Sequence, residues 1–172
     1  MSLDPATLIA ESGAQALAGW LLSTVPGLPP ILQTIHLLSI AAIMGSAVFI
    51  NLRLLQWAVP SQHPAEMIRR LQSWTWYGLL GVFSSGIWFL LARPSRYFSN
   101  PVFQIKFAVL ILAVALTVVL YRLTLRDPAV WAGSRRHQLA GKGLALMSLL
   151  LWILVVLAGR WIAYVEYLFW EG

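Results

Sequence analysis

Apolar residues run along this chain in four long stretches, separated by short polar gaps. They cover about Pro30–Trp57, Ser73–Ala92, Pro101–Leu125 and Gln138–Phe169. About 20 apolar residues carry a helix across a bilayer, so each stretch is long enough to span. No alternation of period two appears, and lipid does not tolerate unpaired backbone, so these are expected as helices and not barrel strands. The predicted fold is an all-α integral membrane protein built on a four-helix transmembrane bundle.

The segment before the first span has a different pattern. In Pro5–Leu22 the residues Ile9, Leu17, Trp20 and Leu21 can share one helical face, with Glu11 and Gln15 opposite. Asp4 followed by Pro5 is a good helix start, an N-cap followed by a residue already set for the first turn. The segment is too polar to span and is expected to lie in the membrane interface as an amphipathic helix. Val25–Pro30 (VPGLPP) then turns the chain inward. Two regions follow: residues 1–29 as the interfacial helix and turn, and residues 30–172 as the membrane domain.

Composition supports the membrane assignment. Only 10% of the 172 residues are charged and 59% are hydrophobic, against roughly 25% charged in an ordinary soluble domain. Nine Trp and five Tyr suit membrane–water boundaries. There is no cysteine, which removes disulfides, thiolate nucleophiles and cysteine-bound metals. No basic residue precedes Arg53, so no cleavable signal peptide is expected.

The net charge of +6 would suggest nucleic acid in a soluble protein. Here the basic residues sit in the gaps between apolar runs, where they set orientation and meet headgroups, and no nucleic-acid partner is expected. Arg53, Arg69, Arg70, Arg122, Arg126, Arg135, Arg136 and Lys142 fall on one side, and Arg93, Arg96, Lys106 and Arg160 on the other. The richer side should be cytoplasmic, leaving both termini extracytoplasmic in a bacterial inner membrane.

Few residues in the spans carry chemistry. His36 lies about six residues, or ~9 Å, inside the extracytoplasmic end of the first span. Ionisable groups at such positions often mark function, and imidazole is a common haem and metal ligand. Antiparallel connectivity brings Lys106 and Arg160 to the same level, so three cationic or titratable groups from three helices could converge there. The alternative for Lys106 and Arg160 is snorkelling to the headgroups. His63 and His137 belong to the opposite side, which argues against a bis-His site within one chain. Small residues (Ser39, Ala42, Gly45 and Ser46 in the first span; Gly78, Gly81, Ser85 and Gly86 in the second) allow close helix approach. Asn51 and Arg53 read as anchors of the cytoplasmic boundary, and Met44 and Met147 as packing residues. HExxH, CxxC, G-x-S-x-G and phosphate-loop motifs are absent, and no carboxylate pair lies within a span, so hydrolysis and phosphoryl transfer are not expected.

Ile31–Leu55, with HLLSIAAIMGSAVFINLRLL at its centre, resembles the first membrane helix of a bacterial superfamily. That superfamily includes HemJ-type protoporphyrinogen oxidases, the membrane domain of CopD copper-resistance proteins and many uncharacterised four-helix proteins. Tyr97–Lys106 (YFSNPVFQIK) and Leu157–Val165 (LAGRWIAYV) are most similar to one of the uncharacterised branches. The resemblance implies a four-helix bundle holding haem b. By the same resemblance His36 is an axial ligand of the iron and Lys106 a possible second one, with Arg160 or Arg96 meeting the propionates. The function expected is electron transfer near the extracytoplasmic face, as an oxidoreductase or redox subunit exchanging electrons with a quinone or a periplasmic redox protein. The alternative is a non-catalytic subunit or scaffold, either homo-oligomeric or part of a larger membrane complex.

Overall fold

The computed structural model describes residue 9 and residues 12–164. Among them six helices follow in order: α1 Gly13–Thr24, α2 Leu28–Leu54, α3 Pro64–Ala92, α4 Pro94–Phe98, α5 Pro101–Arg126 and α6 Arg135–Trp161, with a 3₁₀ turn at Ile162–Tyr164. Four of them, α2, α3, α5 and α6, are long and apolar enough to cross a membrane. The chain is therefore an all-α multi-pass membrane protein in contact with lipid. At 1.5 Å per residue each long helix reaches about 40 Å, more than the ~30 Å hydrocarbon layer.

Proline sets where these helices begin. It occupies the first turn of α2, α3, α4 and α5, where its missing N–H costs nothing and its fixed φ suits a helix. Asn100 strengthens the start of α5, its side chain accepting from Val102 N at 2.9 Å and Phe103 N at 3.2 Å. The His63 side chain does the same for α3, accepting from Ala65 N.

The second long helix starts at Pro64, well before the Ser73 expected from hydropathy. Glu66, Arg69 and Arg70 make that first stretch look like loop, yet all three lie on its exposed side. Met67 and Ile68 are buried on the other. The last long helix runs Arg135–Trp161, and the expected continuation to Phe169 extends beyond the described residues. Asp4, Pro5 and Glu11 of the expected amphipathic helix also lie outside them. Within α1, Ala18 is buried while Leu17 and Trp20 of the expected apolar face are exposed.

Around the bundle, α2 packs against α3 and α6, and α5 packs against α6 and α3. This leaves α2 and α5 on a diagonal. The tightest seam is α2–α3: a Cβ added at Gly78 would stand 2.6 Å from Ile43 Cγ1 and 2.9 Å from the Ser39 carbonyl oxygen. One turn on, a Cβ at Gly81 would collide with the Ser39 side chain. Small residues at these positions let two backbones approach in lipid, where apolar burial from water is not available to join helices.

Two apolar clusters fill the interior. Ile43, Ala47, Ala113, Trp152 and Val155 form one, and Ile50, Leu54, Met67, Ile68 and Leu120 are the centre of the other. Hydrogen bonds cross between helices at these levels. Ser46 Oγ is 2.8 Å from Thr75 Oγ1, which is 3.1 Å from the Tyr121 hydroxyl, and Trp152 Nε1 donates to Thr117 Oγ1 at 3.0 Å. Asn51 belongs to this interior and is not a boundary anchor. It is 3% exposed and donates from Nδ2 to Ala47 O and Ser148 Oγ. The large apolar side chains that face outward, such as Leu38, Tyr77, Phe83 and Leu112, form the lipid-facing surface.

Candidate functional site

His36 sits about two turns inside α2, where Ser85 of α3 meets its ring. Nδ1 lies 3.0 Å from Ser85 Oγ. Ser85 is 1% exposed, and its hydroxyl already has a close acceptor in the Gly81 carbonyl, 2.5 Å away. A hydroxyl has one proton to give. With that proton on Gly81 O, Ser85 Oγ accepts from Nδ1–H, and the lone pair of the neutral imidazole is left on Nε2. The Val82 carbonyl, 3.3 Å from the same hydroxyl, is a further acceptor on this side of the ring. The contact to Ser85 is made by Nδ1 and not by Nε2. Fixing one ring nitrogen as donor so that the other is free to ligate is how proteins orient metal-binding histidines.

Gly86 makes room for the ring, since a Cβ there would lie 3.3 Å from His36 Cε1. A larger residue there would press on the ring that Ser85 meets at Nδ1.

Lys106 enters from the diagonal helix, α5, at the same end of the bundle. Its Nζ would be 3.3 Å from a Cβ placed at Gly159 of α6. The residue is half-buried, and among the described residues Nζ has no hydrogen-bond acceptor and no carboxylate partner. It is close enough to act electrostatically on the His36 imidazole. Four helices thus contribute to one level: His36 from α2, Ser85 and Gly86 from α3, Lys106 from α5 and Gly159 from α6.

Arg160 and Arg96 stand apart from this pair. Arg160 is exposed and held by Tyr164: Nη2 donates to the phenol oxygen at 3.0 Å, and the guanidinium lies 5.3 Å from the ring centroid. One residue is 100° of helical rotation, so with Gly159 turned inward against Lys106, Arg160 is carried to the surface. Arg96 is on α4 and lines a groove of about 440 Å³ with Leu22, Pro29, Phe89, Arg93 and Tyr97. His63 and His137 lie at the opposite end. The first caps α3, and the second has Nδ1 3.0 Å from Ser134 Oγ.

Among the described residues, no three His, Cys, Asp or Glu side chains gather in a way that could hold a metal ion. What the bundle offers is one imidazole and one amine on facing helices. That donor set is too small to cage a bare ion, but it suits a metal whose equatorial positions are already filled by a macrocycle. On donor chemistry alone, the pair is of the kind that ligates haem iron. The sequence marked His36 and Lys106 by type and depth. Ser85 stood out as a small residue and as one of the few polar ones within the spans, but not as a partner of His36, and Gly159 not at all, because a partner's role depends on which helix face turns inward.

No curated protein and no solved structure matches this chain. One family model does, described as "Family of unknown function (DUF6644)", and it covers residues 11–165, nearly the whole chain. A match of that extent, running from α1 through all four spans and the His36–Lys106 level, makes the chain a member of that family.

Proposed function

We propose that this protein binds haem b between its membrane helices and passes electrons at the end of the bundle where His36 lies. The observation that carries the reading is His36, held at Nδ1 by Ser85, at the same end of the bundle as Lys106 from the diagonal helix, which has no carboxylate partner among the described residues. The resemblance to the HemJ/CopD-like superfamily points the same way. His36, oriented by Ser85, would hold the iron, and Lys106 would supply a second donor, its amine ligating only as the free base. A bound haem would supply one-electron chemistry, with a potential set by these ligands and by the surrounding burial. The apolar cluster of Ile43, Ala113 and Trp152 excludes water from below. Arg96 and Arg160 are at the surface of this end, where carboxylate groups of a ligand or a redox partner would meet them. The natural partners are a quinone in the lipid or a soluble redox protein at the membrane surface. By its charge distribution this end faces the periplasm of a bacterial inner membrane.

The test is an optical spectrum of detergent-purified protein expressed with haem supplied. A Soret band that sharpens on reduction, with resolved α and β bands, is the expected result. His36→Ala should insert normally, since insertion depends on the apolar spans, and should lose most of the haem. Lys106→Ala should keep haem but shift it toward five-coordinate, high-spin character. Equal haem in the parent and His36→Ala, or a colourless parent, would overturn the assignment and favour a scaffold role.

A further inference from the structure

At the opposite end of the bundle the two helical hairpins open into a groove of about 300 Å³. Arg53, Gln56, His63, Trp131, Gln138 and Lys142 line it, drawn from the ends of α2, α3 and α6 and the loop before α6. We infer that this groove binds the phosphate of an acidic phospholipid, with Arg53 and Lys142 as the two cations and the glutamines as neutral donors.

Charge is the first argument. Two cations line the groove and no carboxylate does. The nearby acids are committed elsewhere: Glu66 is paired with Arg70 at 2.5 Å, and Asp127 accepts from Ala129 N at 3.0 Å. Lys142 has no acceptor among the described residues. Arg53 donates from Nε to Gln62 O and from Nη2 to Pro60 O, both backbone groups that leave its charge intact. A guanidinium has five N–H donors, so three remain.

The walls of the groove are held in place. The Trp131 indole donates from Nε1 to Thr124 Oγ1 at 2.8 Å. Its ring lies so close to α6 that a Cβ at Gly141 would come within 2.7 Å of Cε3. On the other side, α2 ends with Trp57 N bonded to Leu52 O at 2.9 Å and Gln56 N to Arg53 O at 3.0 Å. That helix ending normally places glycine at the left-handed position, yet Gln56 takes it, with φ 64°. The strained residue is one that lines the groove.

Depth selects the source of the phosphate. The groove lies where spanning helices end, at the level of lipid headgroups, and Leu54 and Trp131 give it an apolar side. Basic pockets between membrane helices favour acidic headgroups in this setting. A free phosphate would have the charge but no use for the apolar wall.

Native mass spectrometry of the full chain in mild detergent, titrated with phosphatidylglycerol or phosphatidylcholine, tests the inference. Phosphatidylglycerol should be retained at least several-fold better. Lys142→Gln should remove most of that preference, while Lys142→Arg keeps it and shows that the charge matters. Arg93→Gln, at the other end, should have no effect. Equal retention of the two lipids, or an unchanged preference in Lys142→Gln, would overturn the site. Displacement of phosphatidylglycerol by equimolar inorganic phosphate would overturn the lipid as its occupant.

Discussion

Asn51 donates from Nδ2 to Ser148 Oγ at 3.3 Å, joining α2 to α6 inside the apolar bundle across 97 positions of sequence. The same side chain leaves Oδ1 buried without a donor among the described residues, which offsets part of what the bond contributes. Interhelical hydrogen bonds in membranes average about 0.6 kcal/mol and reach ~1.7 kcal/mol. A double-mutant cycle of Asn51→Ala and Ser148→Ala, read by unfolding in mixed detergent, should give a coupling energy toward the lower of those values. Strict additivity would mean that the two side chains do not cooperate.

The α2–α3 seam gives a sharper contrast. Gly78→Ala would push a methyl against Ile43 and the Ser39 carbonyl, whereas a methyl at Gly45 would meet nothing within 4 Å. Overpacking of this kind costs about 1–3 kcal/mol. Gly78→Ala should therefore lower the melting temperature in detergent, and Gly45→Ala should not. Equal behaviour of the two variants would mean that the seam yields to an added methyl.

Ser85 meets the His36 ring at Nδ1, and under the proposed function it is a positioning residue and not a ligand. Ser85→Ala should leave folding and expression unchanged yet weaken haem binding about 10–100-fold, the usual effect of removing a ligand's supporting hydrogen bond. Titration of haem into apoprotein measures this directly. Ser85→Thr, which keeps the hydroxyl, should restore most of the affinity if it fits beside the ring.

Gln56→Gly removes a side chain from a left-handed position that costs an L-residue about 1–2 kcal/mol. The variant should melt higher than the parent and retain less phosphatidylglycerol. A loss of stability would show that the Gln56 side chain holds the α2–α3 turn together.

Orientation is tested by a reporter that fluoresces only in the cytoplasm, fused after Gly172. The distribution of basic residues over short loops leads us to expect it to stay dark. Bright cells would place His36 at the cytoplasmic face.

The four spans were legible because lipid demands long apolar runs, and that demand overrides most local detail. His36 and Lys106 were legible because ionisable side chains are rare in such runs. Rotation about each helix axis was not legible. Asn51 near a polar boundary and Arg160 inside a span both follow expectation in sequence, yet the first turns inward and the second outward. With apolar residues on every side, hydropathy carries little information about which face meets the bundle. The early start of α3 was hidden for the converse reason. Its first turns leave the bilayer, so they read as a water-facing amphipathic helix and not as a span.

The close α2–α3 seam also has a consequence for synthesis. Membrane chains emerge N-terminus first, so α2 and α3 can zip together while α5 is still to enter the membrane. Once α2 and α3 have both entered the membrane, the His36 ring can already meet Ser85. Lys106 arrives only with the next hairpin. The chain's order of birth therefore sets the order in which the two halves of the proposed site come together, and co-expression of the two hairpins as separate polypeptides would remove that order.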